Sequence, residues 1–223
     1  MRFLNAGDRA LLVELDLAEA AEKAGAAPEP ARLYRALMRE KPAGALEFVP
    51  AARTVLVRFD PALTSSGLLA ARIGEVARAM DDEAGGAGGV EDADVLEIPV
   101  RYDGEDLDVV ARLAGLSVSE VVARHCAPVY TVAFCGFAPG FGYLTGLDDA
   151  LWLPRRAVPR TRVPAGSVAI ADRYAAVYPQ ASPGGWNLLG RTYVAVWDAA
   201  RQPPAMFVPG VRVRFVAESG LRR

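Results

Sequence analysis

The sequence predicts an α+β protein, with a small amino-terminal α+β domain over residues 1–84 followed by a β-barrel domain over residues 101–223. Three observations carry that reading. In the first third, short β-type runs alternate with amphipathic stretches of helical spacing, as expected when helices cover one face of a sheet. Residues 81–94 are acidic and contain Gly85, Gly86, Gly88 and Gly89. Ordering them would cost backbone entropy for little buried apolar surface, so 85–94 reads as a flexible linker. From residue 125 onward, many short strands are separated by turns dense in Gly and Pro, which implies a closed or nearly closed barrel.

Taken in order, Phe3–Ala6 and Ala10–Leu15 flank Gly7-Asp8-Arg9 and read as a hairpin. Residues 18–29 are rich in Ala and Glu and read as a helical segment interrupted by Gly25 and Pro28. Pro30 suits the first turn of a helix over 30–40, in which Leu33 and Leu37 share a face until Pro42 and Gly44 stop it. Leu46–Val49 and Thr54–Phe59 form the next strand pair. Ser65 or Ser66 caps a second helix striped by Leu69, Ile73, Val76 and Met80. A strand at 95–100 is expected to complete the sheet of this first domain.

In the second half, residues 106–114 read as a short helix burying Leu107, Val110 and Leu113 or Ala114. Ser117 and Glu120 have the spacing of a capping box, opening a helix that carries Val118, Val121 and Val122 and ends at His125. Strands are expected at 129–134, 168–171, 175–178, 193–197 (with Leu188–Arg191 leading into it) and 211–216, the last alternating Val211, Val213 and Phe215 with Arg212 and Arg214.

Composition excludes some classes of function. The formal net charge of -2 draws the chain neither to nucleic acid nor to an anionic membrane. No apolar run approaches the length of a membrane span. The amino terminus shows no export-type pattern, and Cys126 and Cys135 are the only cysteines, so the chain reads as cytoplasmic, with one disulfide left open. The glycines of 85–89 lack the preceding strand and following helix of a phosphate-cradling loop. A metal site of several histidines is excluded, because His125 is the only one.

Candidate site residues collect at the stiff turns. His125 has two readings: a side chain at the carboxyl end of a helix dipole, or a ligand contact and proton carrier. Phe137, Pro139, Gly140 and Phe141 lie in Gly136-Phe137-Ala138-Pro139-Gly140-Phe141-Gly142-Tyr143, where aromatic faces surround backbone amides that glycine leaves open. Segment 154–166 holds three prolines and four arginines. Such rigidity fixes guanidinium groups able to grip a carboxylate, and Arg155 and Arg160 are favoured over Arg156 and Arg162. Gly166, Ser167, Gln180, Gly184, Gly185 and Trp186 occupy the remaining corners. Ser167 fails the nucleophile-elbow pattern, and Cys135 reads as a core thiol. The residues alone support a polar pocket for a small anion or amide.

The ordered set of His125, Tyr130, 136–144, Pro154-Arg155, Pro159-Arg160, 163–168, Tyr178-Pro179, Ser182-Pro183-Gly184-Gly185-Trp186 and Gly190-Arg191-Thr192 resembles the B-type subunit family of bacterial 5-oxoprolinase. That family is also labelled allophanate hydrolase subunit 1 or KipI-type, and it corresponds to carboxyltransferase subdomains C and D. The resemblance extends to Gly7-Asp8-Arg9-Ala10 and Pro209-Gly210. It implies a cyclophilin-like barrel, a paired C-type partner protein with a cyclophilin-like fold, and a third, lactam-hydrolase subunit of the A type. It also implies ATP-dependent opening of 5-oxo-L-proline to L-glutamate by the complex, with ATP used by the assembly and no metal. A kinase inhibitor of the KipI type and a subunit of an allophanate or urea-degrading complex are the alternatives it brings.

Overall fold

Alternation in the first strands builds a four-stranded antiparallel sheet in the order β1-β2-β4-β3, from β1 (Arg2–Asn5), β2 (Ala10–Glu14), β3 (Ala45–Pro50) and β4 (Thr54–Phe59). The computed structural model describes residues 1–15, 29–83 and 95–218. Helices α1 (Glu29–Glu40) and α2 (Ser66–Glu83) bury Leu33, Leu37, Leu69, Ile73 and Val76 against Leu11, Val13, Val55, Val57 and Phe59. Those five sheet residues fall on one face because side chains alternate along a strand. The segment expected to be helical at 18–29 lies outside the described residues apart from Glu29, and the linker at 85–94 lies wholly outside them.

The chain divides into two units, Met1–Asp92 and Ala93–Arg223. The second opens with β5 (Leu96–Val100), α3 (Leu107–Ala114) and α4 (Val118–Cys126). Strands β6 (Tyr130–Cys135), β7 (Gly142–Thr145), β8 (Arg160–Val163), β9 (Ser167–Ala171), β10 (Tyr174–Val177), β11 (Ser182–Gly184), β12 (Asn187–Arg191) and β13 (Arg212–Ala217) follow. Seven of these strands form one sheet in the order β12-β9-β10-β7-β6-β13-β5, while β8 and β11 pair as a separate ribbon. The sheet curls into a nearly closed barrel of the cyclophilin-like kind. Its ends meet where Arg101 and Arg191 exchange two backbone hydrogen bonds of 2.9 Å.

Two expectations are corrected here, and one open alternative is settled. The strand at 95–100 belongs to the barrel, where β5 runs parallel to β13 with Val213 opposite Leu96 and Phe215 opposite Ile98. Ile98 and Val100 therefore bury themselves in the barrel core rather than in the first domain. Residues 193–197 form no strand. There the Arg201 guanidinium donates to the carbonyls of Ala195, Val196, Pro203 and Pro204, so a side chain satisfies backbone groups that a ladder would otherwise pair. On α3, Leu113 is exposed and Ala114 takes the core-facing place. The capping box is present as read: the Glu120 N–H donates to Ser117 Oγ, and the Ser117 N–H donates to the Glu120 carboxylate.

The barrel core gathers Val132, Leu144, Val168, Ile170, Val177, Leu189, Val213 and Phe215 with Leu107, Val110 and Val121 from the helices. β9 and β10 are covered on both faces, because Ala169, Ala171 and Ala176 point the other way into a second cluster with Phe141, Tyr178 and Trp186.

Gly190 sits at the closing seam, and any Cβ there would run into the carbonyl of Arg101. Gly190→Ala is expected to force the seam apart and lower unfolding free energy by about 1–3 kcal/mol in urea titrations. Gly67→Ala, in helix α2 with open space beside it, is the control and should be neutral or stabilising.

Candidate functional site

Asp106 precedes α3 and is 1% exposed, yet it carries a carboxylate. Four donors meet it: Arg156 Nη1 and Arg160 Nη2 on one oxygen, Arg160 Nη1 at 2.8 Å and the Leu188 N–H at 2.8 Å on the other. Burial pushes its pKa up, but the hydrogen bonds from Arg160 and Leu188 and the two guanidinium charges outweigh that and hold it below its ordinary value. Arg160 also donates to Glu105 through Nε at 3.2 Å and Nη2 at 3.0 Å. Its side chain is 16% exposed, with its donors turned toward two carboxylates. Arg160 thus ties β8 to the start of α3 through Glu105 and Asp106.

Arg155 is arranged differently. Its side chain is 60% exposed, and its nearest acid, the exposed Asp172, stands 3.8 Å away. It acts electrostatically on Tyr143 and Tyr178, whose phenol pKa values burial raises and this guanidinium pulls partly back. Those tyrosines belong to an edge-to-face aromatic cluster. The Phe141 ring lies 5.1 Å from Tyr143, 5.3 Å from Tyr178 and 5.5 Å from Trp186, and Phe137 extends it at 5.2 Å from Phe141. Gly140, at φ 80°, brings the turn so close to Trp197 that only a residue without Cβ fits.

The corner at 184–186 is fixed to this cluster from two sides. The Gly185 carbonyl accepts from the Arg156 N–H at 2.8 Å, and Gly184 packs against the Tyr178 hydroxyl. Gly166 and Ser167 join through backbone: the Gly166 N–H donates to Tyr178 at 2.8 Å, and the Tyr178 N–H donates to Ser167 at 2.9 Å. Pro139 and Gln180 are exposed at the margins. Phe137, Gly140, Phe141, Arg155, Gly184, Gly185 and Trp186 therefore come together.

His125 does not join them. It lies fully buried on the inside of the barrel, stacked 4.6 Å from Phe215, while Trp186 is in the cluster on the outside. His125 therefore stands apart from the candidate residues gathered at the stiff turns. Burial lowers the His125 pKa to about 3, so the ring is neutral and does not act as a cation at the helix end. Its Nδ1 shares a 2.7 Å hydrogen bond with the Tyr102 hydroxyl, which also lies 3.2 Å from Cys126 Sγ. Cys126 and Cys135 are free thiols, and the Cys135 thiol donates to the Phe207 carbonyl while burial raises its pKa.

Sequence reasoning missed Asp106, Arg156 and Tyr178 as site-building residues, whereas Tyr143 already stood in the aromatic turn it singled out. Only Tyr178 had a local signal, in Tyr178-Pro179; Asp106 lies far upstream of the arginines it holds. Among the described residues, no group of three or more His, Cys, Asp or Glu gathers as metal ligands, and no helix is long and apolar enough to cross a membrane.

Arg160→Ala strips Asp106 of its bidentate partner and is expected to destabilise the chain by about 3–5 kcal/mol in chemical denaturation, with Arg160→Lys restoring only part. His125 contributes to stability above its unfolded pKa of 6.5, and that contribution is lost as pH falls toward its folded value of about 3. His125→Phe keeps the stack on Phe215 but cannot take up a proton, so it should flatten the loss of stability between pH 7 and pH 4 in parallel urea titrations.

Comparison with known proteins agrees with this architecture. The family model described as carboxyltransferase domain, subdomain C and D, matches residues 1–207. The chain is 50% identical over 126 residues to the B-type subunit of 5-oxoprolinase from Escherichia coli O157:H7, covering 55% of this chain and 58% of that protein. It is 43% identical over 125 residues to the B-type subunit of 5-oxoprolinase from Bacillus subtilis strain 168, covering 55% of this chain and 52% of that protein. The matched stretch thus spans little more than half of these curated relatives. Among solved structures, TTHA0988 superposes with a TM-score of 0.73 at 40% identity, over 95% of this chain and 41% of that one. The Kluyveromyces lactis urea amidolyase, at 20% identity and a TM-score of 0.67 over 97% of this chain and 15% of its own, shares the fold. On the family match and the architecture together, the chain belongs to the carboxyltransferase domain, subdomain C and D, family.

Proposed function

We propose that this chain is the B-type subunit of an ATP-dependent 5-oxoprolinase complex, which opens 5-oxo-L-proline to L-glutamate. The observation that carries this is its 43% and 50% identity, over half its length, to two bacterial proteins named as the B-type subunit of 5-oxoprolinase. The site chemistry fits a small lactam acid. Arg155 presents a largely exposed guanidinium whose nearest acid stands at 3.8 Å, and a guanidinium can hold a carboxylate with two hydrogen bonds. The partners are a paired C-type protein and a third, A-type lactam-hydrolase protein. ATP is used by the complex, and no residue of this chain is assigned to it.

Co-expression with the C- and A-type proteins, followed by an assay of glutamate released from 5-oxoproline with and without ATP, tests the reading. The three-protein complex should turn over only with ATP and lose activity when this chain is omitted. Turnover that does not depend on this chain would refute the assignment. In the same assay, Arg155→Ala should raise KM about tenfold, the loss expected for one charge-assisted hydrogen-bonding group, with the fold retained.

A further inference from the structure

Asp172 stands in a turn that accounts for its backbone but not for its charge. Tyr174 pairs with Ala171, so Asp172 and Arg173 are the two residues that turn β9 into β10. Asp172 sits at φ 51°, where glycine, asparagine and aspartate are tolerated best. That conformation selects one of the three and does not ask for a carboxylate. Stability does not ask for it either. The Asp172 and Arg155 side chains are 58% and 60% exposed and stand 3.8 Å apart, and an exposed pair of that kind adds little. Beneath them, however, the backbone is firmly held. The Asp172 N–H donates to the Leu153 carbonyl at 2.7 Å, which ties the turn to Leu153-Pro154-Arg155. Pro154 stiffens the chain just before Arg155, and its carbonyl accepts from the Asn187 side chain at 3.0 Å. Asn187 is only 4% exposed, so a buried amide is committed to holding this segment. Both charges also lie within electrostatic reach of the aromatic layer. Burial raises the Tyr143 phenol pKa and Arg155 pulls it partly back; burial raises that of Tyr174, with Arg173 opposing and Asp172 reinforcing. One cation and one anion are thus presented side by side on a rigid base, as a preorganised binding pair requires.

We infer that Asp172 is a specificity-determining residue, whose carboxylate accepts the ring N–H of the lactam acid that Arg155 holds by its carboxylate. This rests on the function proposed above and adds the feature of the substrate that is read. In a lactam acid the ring nitrogen and the carboxyl group are bonded to the same carbon. An N–H donor and an anionic acceptor therefore lie side by side on the ligand. The protein offers the complementary order, a guanidinium donor beside a carboxylate acceptor, so two charge-assisted hydrogen bonds form together. A ligand with a ring oxygen in place of the N–H keeps the bond to Arg155. It loses the bond to Asp172 and turns a lone pair toward that carboxylate, which is how a site built for an N–H rejects the analogue lacking it.

The test uses the three-protein complex. KM for 5-oxoproline and the inhibition constant of its lactone analogue, in which a ring oxygen replaces the N–H, are measured for wild type, Asp172→Gly and Asp172→Asn. Glycine and asparagine both adopt this φ readily, so neither substitution disturbs the turn. Wild type should favour the lactam by about tenfold or more, the loss expected for one hydrogen bond to a charged group. Asp172→Gly should raise KM for 5-oxoproline and bring the two ligands within about twofold of each other. Asp172→Asn, whose amide carbonyl still accepts a hydrogen bond, should keep part of the preference. Equal binding of the two ligands by wild type overturns the role. A preference unchanged in Asp172→Gly also overturns it: if Asp172 merely steadied Arg155, both ligands would weaken by the same factor and their ratio would hold. That result leaves the proposed function standing, because the complex still turns over. A wild-type complex that does not open 5-oxoproline overturns both the proposed function and the role of Asp172.

Discussion

A buried carboxylate with four donors sets the geometry of the outer face of the barrel. Asp106 lies almost entirely out of solvent, and an unpaired charge there would be driven to neutralise. Arg156, Arg160 and the Leu188 N–H must all be in place to prevent that, and they come from a loop, from β8 and from β12. The ribbon of β8 and β11 shares no ladder with the seven-stranded sheet, so this charge cluster is a principal restraint on how it lies against the barrel. Buried ion pairs add little net stability compared with apolar packing, because desolvation opposes them. Their effect here is orientational: they take up Arg160 and leave its neighbour in the segment, Arg155, facing water.

Local signals in the sequence were legible because their physics is local. Ser117 and Glu120 satisfy each other's backbone within one turn of helix, so spacing alone identifies the box. Leu33, Leu37, Leu69 and Ile73 fall on buried faces because the helical period decides it. Signals that depend on a distant partner were not legible. The alternation of Leu96–Val100 marks a strand but says nothing of which sheet receives it, and its partner β13 comes near the end of the chain. Arg155, Arg156, Arg160 and Arg162 look alike in sequence. Asp106 separates them, and nothing near residue 106 announces that its carboxylate will be buried.

His125 shows how rarity misleads. A lone histidine beside a turn-rich segment invites a chemical role, whereas the structure uses its ring as a flat, neutral piece of core between Tyr102 and Phe215. An imidazole there can satisfy the Tyr102 hydroxyl while stacking on a phenyl ring, which neither phenylalanine nor a small polar residue does alone. The cost is acid sensitivity, since a proton taken up by the ring would sit at the centre of an apolar cluster.

The same strands explain why the aromatic residues lie outside the barrel. β9 and β10 place Val168, Ile170 and Val177 inward and Ala169, Ala171 and Ala176 outward. Bulky residues fill the interior, while methyl groups on the outer surface leave room for a second layer. Phe141, Tyr178 and Trp186 supply that layer in edge-to-face contact, and each becomes buried by doing so. Phe137 continues the same layer, with its ring 5.2 Å from that of Phe141, and stays largely exposed.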